Sequence, residues 1–190
     1  MYEKFLAAFP SDGGTSQPFV DPRLERLDGF NELVAFGAGL SFGNGIVRIH
    51  SEGEALRAGE LIKESFSKLG DRTVPLAKDW LGRQFVVPLI NGRARSGLLL
   101  LVEPGSGEVF DVDCGLVDLF SVEMVADSET FLAADLFDDW RERNSVIMSS
   151  DQCVGFKVPL FLGGEGSVDN LEVSDESVYW SLLGQIRSQS

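Results

Sequence analysis

The chain has 190 residues, which is enough for one domain or a domain with a small appendage. A composition of 44% hydrophobic and 24% charged residues is globular and argues against disorder. The net charge is −14, with 30 carboxylates against 16 Lys and Arg; that excess argues against nucleic-acid binding, because phosphates need cationic side chains to displace their counterions. No apolar run approaches the ~20 residues of a membrane helix, and the first residues, MYEKF, lack the basic and apolar regions of a signal peptide. A cytoplasmic protein is therefore expected. Cys114 and Cys153 are far apart and form no CxxC pair, so two free thiols are expected.

In chain order, residues 2–9 have helical spacing, with Phe5, Leu6 and Phe9 on one face and Pro10 as the stop. Residues 11–18 are rich in Gly, Ser and Pro and read as a loop. Asp28 is placed to cap a second helix that runs to Phe36. Gly37, Gly39, Gly43 and Gly45 then permit tight turns around Phe42; they lack the GxxxxGK[ST] spacing of a phosphate loop. Residues 46–49 form a short strand. Ser51 and Glu54 make a capping box for a helix that carries Leu56, Gly59, Ile62, Phe66 and Leu69 and closes at Gly70. His50, the one histidine, stands at this strand-to-helix joint, where a structural role is expected.

From Val74 the period becomes two. Strands at 74–77, 83–89, 97–102 and 108–112, joined by polar and Gly/Pro turns, read as an antiparallel meander. The unbroken apolar run 98–101 predicts a strand covered on both faces. Two helical segments follow, 116–125 and 131–143, the second capped by Asp127 or Ser128. Leu132, Leu136 and Trp140 form its core side, and Asp135, Asp138 and Asp139 the opposite face. Residues 154–162 read as a strand, although Pro159 points to an edge or bulge. Asp175 caps the last helix, which packs through Val178, Tyr179, Trp180, Leu182, Leu183 and Ile186.

Charge is distributed unevenly. Residues 1–96 hold 12 basic and 12 acidic side chains, whereas residues 97–140 hold 11 acidic and no basic ones. Residues 158–186 add Glu165, Asp169, Glu172, Asp175 and Glu176, again without Lys or Arg. Such surfaces suit a cationic partner as well as solubility. Asp111 and Asp113 at a strand end, like Asp138 and Asp139, make weak metal pairs; the latter two point about 100° apart on a helix.

Several blocks together resemble a known family: GLSFGNGIVRI (39–49), DWLGRQF (79–85), PGSGEV (104–109), DQCVGFKVPLFLGG (151–164), DNLEV (169–173) and the pair Tyr179-Trp180. They are similar to the Tdi immunity proteins, which neutralise Tde-type DNase toxins delivered by the bacterial type VI secretion system. The likeness runs from about residue 25 onward. Family members often carry a GAD-like N-terminal region, so residues 1–45 are expected to be its helical remnant and 46–190 the main domain. The resemblance implies an immunity protein that is not an enzyme and needs no cofactor or metal. Its partner would be a cognate nuclease toxin, bound one-to-one by a monomer, with no direct contact to nucleic acid or membrane.

The matched blocks are mostly Gly, Pro, aromatic and aliphatic, and read as scaffold. Candidate toxin-binding residues come from charge alone: Asp135, Asp138, Asp139, Glu165, Asp169, Glu172, Asp175 and Glu176. Two other classes compete. One is a metal-dependent hydrolase built on Asp111 and Asp113, and the other a general SMI1/KNR4-like interaction domain with a different partner. The expected fold is α+β: a mainly antiparallel sheet of five to six strands, with helices packed on one side.

Overall fold

The period-two segments build one antiparallel sheet. The structure, a computed structural model, describes residues 1–189. Two short strands, β1 (Ser41–Phe42) and β2 (Val47–Ile49), lead into β3 (Thr73–Asp79) and β4 (Gln84–Ile90). A two-residue β5 (Arg93–Ala94) precedes β6 (Leu99–Glu103) and β7 (Glu108–Val112). The order is β1-β2-β3-β4-β6-β7, with β5 paired to the end of β4, so the sheet has seven strands. A separate ribbon pairs β8 (Gln152–Phe156) with β9 (Leu171–Asp175). The helices are α1 (Glu3–Ala8), α2 (Phe30–Gly37), α3 (Glu52–Ser65), α4 (Leu116–Asp118), α5 (Met124–Ala126), α6 (Ser128–Leu132), α7 (Ala134–Arg143) and α8 (Glu176–Ser188). A π-helical turn, Leu119–Glu123, joins α4 to α5. The fold is α+β with a mainly antiparallel sheet, as the pattern predicts.

Alternation along the strands creates two cores. Phe85, Val87, Leu99 and Leu101 enter the larger one, with Trp80, Phe120, Leu132, Phe137 and Trp140. Val86, Leu100 and Val102 enter the smaller, with Ile62 of α3 and Trp180 and Leu183 of α8. Helices therefore cover both faces of the sheet rather than one. The reason lies in β4 and β6: both are apolar at consecutive positions, so neither face tolerates water. Each central tryptophan has its indole N–H satisfied, as a buried ring requires. Trp80 Nε1 donates to the Leu132 carbonyl at 2.9 Å and Trp180 Nε1 to the Gly82 carbonyl at 3.1 Å.

The first 45 residues pack into the larger core. The Phe5 ring meets Phe120 at 5.1 Å, Tyr2 Oη donates to the Gly29 carbonyl at 3.0 Å, and β1 pairs with β2. Gly39, Gly43 and Gly45 have positive φ around the buried Phe42, as the turn reading expects, whereas Gly37 is the last residue of α2.

Local signals hold at some helix ends and fail at others. Ser51 and Glu54 form the capping box of α3, and Asp175 accepts the Val178 N–H of α8 at 3.0 Å. The N-cap of α2 is Gly29, at φ 79°, and not Asp28. In α3 the buried stripe is Ala55, Ala58 and Ile62; Leu56 lies one position off it and is 63% exposed. The helix ends at Ser65, before Gly70. Asp127 caps α6 alone, because Ala133 at φ 49° separates α6 from α7. On α8, Tyr179, Trp180 and Leu183 are buried while Val178 and Leu182 face out. The strand expected over 154–162 stops at Phe156, and Pro159 opens a 3₁₀ turn, Leu160–Leu162. Pro159 has no N–H to give a ladder, and this segment forms a ribbon, not the centre of the sheet.

Gly155 sets how closely the ribbon meets α8. A Cβ there would sit 2.5 Å from the Tyr179 ring, whose hydroxyl accepts the Phe156 N–H at 3.2 Å. Gly155→Ala is expected to destabilise the fold by about 1–3 kcal/mol through overpacking. The loss would be read as a lower urea midpoint at constant slope; an unchanged midpoint would mean the ring moves aside freely.

Candidate functional site

The tight turn between β3 and β4 fixes α7, which carries three of the eight candidate residues. Asp79 Oδ1 accepts the N–H groups of Leu81 (3.0 Å) and Arg83 (2.9 Å), and its Oδ2 lies 2.5 Å from Arg83 Nε. Arg83 Nη2 then donates to the Phe131 carbonyl at 3.0 Å, which ties α6 to the sheet. Trp80 packs on Phe137 and Trp140 at 5.2 and 5.7 Å, so α7 lies with those rings inward. Asp135, Asp138 and Asp139 are consequently exposed on its outer face, joined by Glu142. The DWLGR block is thus the anchor for an acidic helix.

The acidic turn lies beside α7. Arg143 Nη1 contacts Asp169 Oδ1 at 2.8 Å across the surface, a pair worth at most ~1 kcal/mol in water. Asn170 holds the loop behind it. Its Nδ2 donates to the carbonyls of Val158 (2.9 Å) and Glu165 (2.8 Å), and its Oδ1 accepts the Val158 N–H at 2.9 Å. Glu165 and Glu172 are exposed here, and Asp175 is exposed while it caps α8. The structure therefore brings Asp135, Asp138, Asp139 and Asp169 into neighbouring elements, with Glu165 on the same tied loop.

Glu176 stands apart from the other candidates. It is buried, with Lys78 Nζ at 2.7 Å and Gln84 Nε2 at 2.9 Å. Lys78 also donates to the carbonyls of Ser150 (2.8 Å) and Gln152 (3.1 Å), and Gln84 Oε1 meets His50 Nε2 at 2.8 Å. This network fastens α8 to the sheet and leaves Glu176 no free edge for a partner. His50 is 1% exposed and belongs to the same network.

Glu108, Asp111, Asp113, Asp118, Asp127 and Glu129 are exposed carboxylates of the same base-free run that lie outside the charge-based candidate set. The run itself was the available signal. Among the described residues no three His, Cys, Asp or Glu side chains converge to hold a metal, so Asp111 and Asp113 lack a third ligand. No described helix is long and apolar enough to cross a membrane.

Neither thiol is activated. Cys153 is buried and Cys114 half-buried, and both are free. Burial, with the charges of Glu123, Asp118 and Asp113, pushes the Cys114 thiol up to about 11. Since the thiolate is the nucleophile, iodoacetamide at pH 8 should modify the native chain at least ~10-fold more slowly than the urea-unfolded chain. Equal rates, followed by mass spectrometry, would contradict this.

Comparison with known proteins agrees with the family likeness over its C-terminal blocks. Residues 116–187 match a model of the family described as T6SS immunity protein Tdi1, C-terminal. No curated protein matches the chain. A crystal structure of Atu4351 from Agrobacterium tumefaciens superposes with a TM-score of 0.68 at 15% identity, covering 97% of this chain and 89% of that one; at that identity the likeness is one of fold. The matched segment spans α4 to α8 and the β8–β9 ribbon, and so includes α7 and the acidic turn. Residues 116–187 are thus similar to the C-terminal region of the Tdi1 family of type VI secretion immunity proteins.

Proposed function

We propose that this chain binds and neutralises a nuclease toxin delivered by the type VI secretion system, laying its acidic surface on the toxin's basic, DNA-contacting face. The observation that carries the reading is the base-free charge distribution: 16 of 30 carboxylates lie in two segments without a single Lys or Arg. Most of them are exposed, and α7 and the acidic turn present theirs side by side. A nuclease must offer cations to DNA. An acidic inhibitor can occupy that face with fast, steered association and exclude the nucleic acid. No residue of this chain needs to perform chemistry, and the complex would be one-to-one, formed in the cytoplasm by a monomer.

The reading is tested by co-expressing the chain with the nuclease encoded beside its gene. Co-purification at equal stoichiometry, with cells protected from DNA loss, supports it. If the nuclease stays uncaptured and cells lose their DNA, the reading falls and a general interaction domain takes its place.

A further inference from the structure

Strand β7 ends the main sheet, and its outer edge is open. Among the described residues its backbone pairs with β6 and closes the turns at its two ends, and no other strand lies beside it. Glu108, Val109, Phe110 and Asp111 are all exposed, and only Val112 is buried. Successive side chains of a strand point to opposite faces, so Val109 (39% exposed) and Phe110 (41%) leave apolar carbon in water on both sides of this edge. The opposite end of the sheet differs: β1 has two residues, and Ser11 bridges to Phe42 beside it.

An open edge with exposed apolar groups is a template for another chain. Its charge decides which chain. Glu108, Asp111 and Asp113 line it; the bases beside it, Lys68 and Arg187, sit with Val109 at its turn end, so the carboxylates outnumber them. A second copy, paired edge to edge, would set carboxylate against carboxylate. Glu103 and Glu108 face each other across β6 and β7; Arg83 already offsets the charge on Glu103, which leaves Glu108 for an incoming cation. The edge also continues the acidic surface: the Leu160 N–H donates to the Gly105 carbonyl at 3.0 Å, which sets the loop before Glu165 against the β6–β7 turn.

We propose that β7 receives an extended, basic segment of the toxin by strand addition. The segment's backbone pairs with the free edge, its apolar side chains cover Val109 and Phe110, and its Lys or Arg meet Glu108, Asp111 and Asp113. This mode supplies affinity through main-chain bonds and specificity through alternate side chains. It rests on the toxin-binding reading above.

Hydrogen–deuterium exchange of the wild-type chain, alone and with the neighbouring nuclease, tests it. Amides of residues 108–112 should exchange at least ~10-fold more slowly in the complex. A Phe110→Lys/Asp111→Lys variant with an unchanged melting temperature should bind at least ~10-fold more weakly. A complex that forms without change at 108–112, or that the variant forms as well as wild type, overturns the edge while the toxin reading stands. Protection of β7 in the chain alone, rising with its concentration, would overturn it in favour of a second copy. If no complex forms, the toxin reading falls and takes the edge with it.

Discussion

Asp138→Lys/Asp139→Lys is expected to weaken binding of the nuclease by at least ~100-fold, about 2.8 kcal/mol. Both side chains are exposed on α7, and the helix is held by Phe137 and Trp140 on its other side, so the folded state should be untouched. The double reversal changes the local charge by four units where the proposed partner would present a basic surface, and like-charge juxtaposition across an interface costs several kcal/mol. The loss should appear largely in the association rate and should shrink as salt rises, because exposed charges are screened over about 10 Å at ~0.1 M. Glu25→Lys, an exposed carboxylate in the charge-neutral first half, should bind as wild type. If Glu25→Lys, with two charge units changed against four, loses half as much binding free energy, net charge alone drives binding, and α7 is not the contact.

Lys78→Met should cost about 3–5 kcal/mol of stability, the usual penalty for leaving a buried charge unpaired. Lys78 is 3% exposed, and its three protons reach Glu176, Ser150 and Gln152. Without it the Glu176 carboxylate keeps only the Gln84 amide, and two carbonyls lose their donor. Lys78→Met/Glu176→Leu should recover at least about half of the loss, since an apolar pair can replace a buried ion pair at little cost. The unpaired Gln84 amide then accounts for ~1–3 kcal/mol that remains. Urea unfolding measures both variants. A loss under ~1 kcal/mol for Lys78→Met, or no recovery in the double variant, would show that the network does not hold α8.

The sequence made the architecture legible where local chemistry decides it. The period-two run after residue 73, the Ser51–Glu54 capping box, the Asp175 cap and the glycine turns around Phe42 all depend on near neighbours. It was illegible where distant residues decide. Glu176 looks like any other carboxylate in a base-free stretch, yet its partner Lys78 lies 98 positions away. The available hint was Lys78 itself, a charge following Val74, Leu76 and Ala77, which a buried strand does not carry without a counterion. The two-sided helical cover followed from the continuous apolar runs of β4 and β6, once both were placed inside the sheet. Strand order cannot be read from chain order, so the open edge of β7 was hidden although its carboxylates were in plain view. Leu56 and Leu132 have the same hydropathy, and only packing sends one to solvent and the other to the core.

In the proposed function this acidic surface blocks a nuclease directly. Titration calorimetry of the chain with the neighbouring nuclease, at about 50 mM and about 300 mM salt, paired with DNA cleavage on the same samples, tests it most directly. The expected result is one-to-one binding that weakens with salt, and cleavage that stops as the titration saturates. Saturated binding with cleavage intact, or binding indifferent to salt, would contradict it.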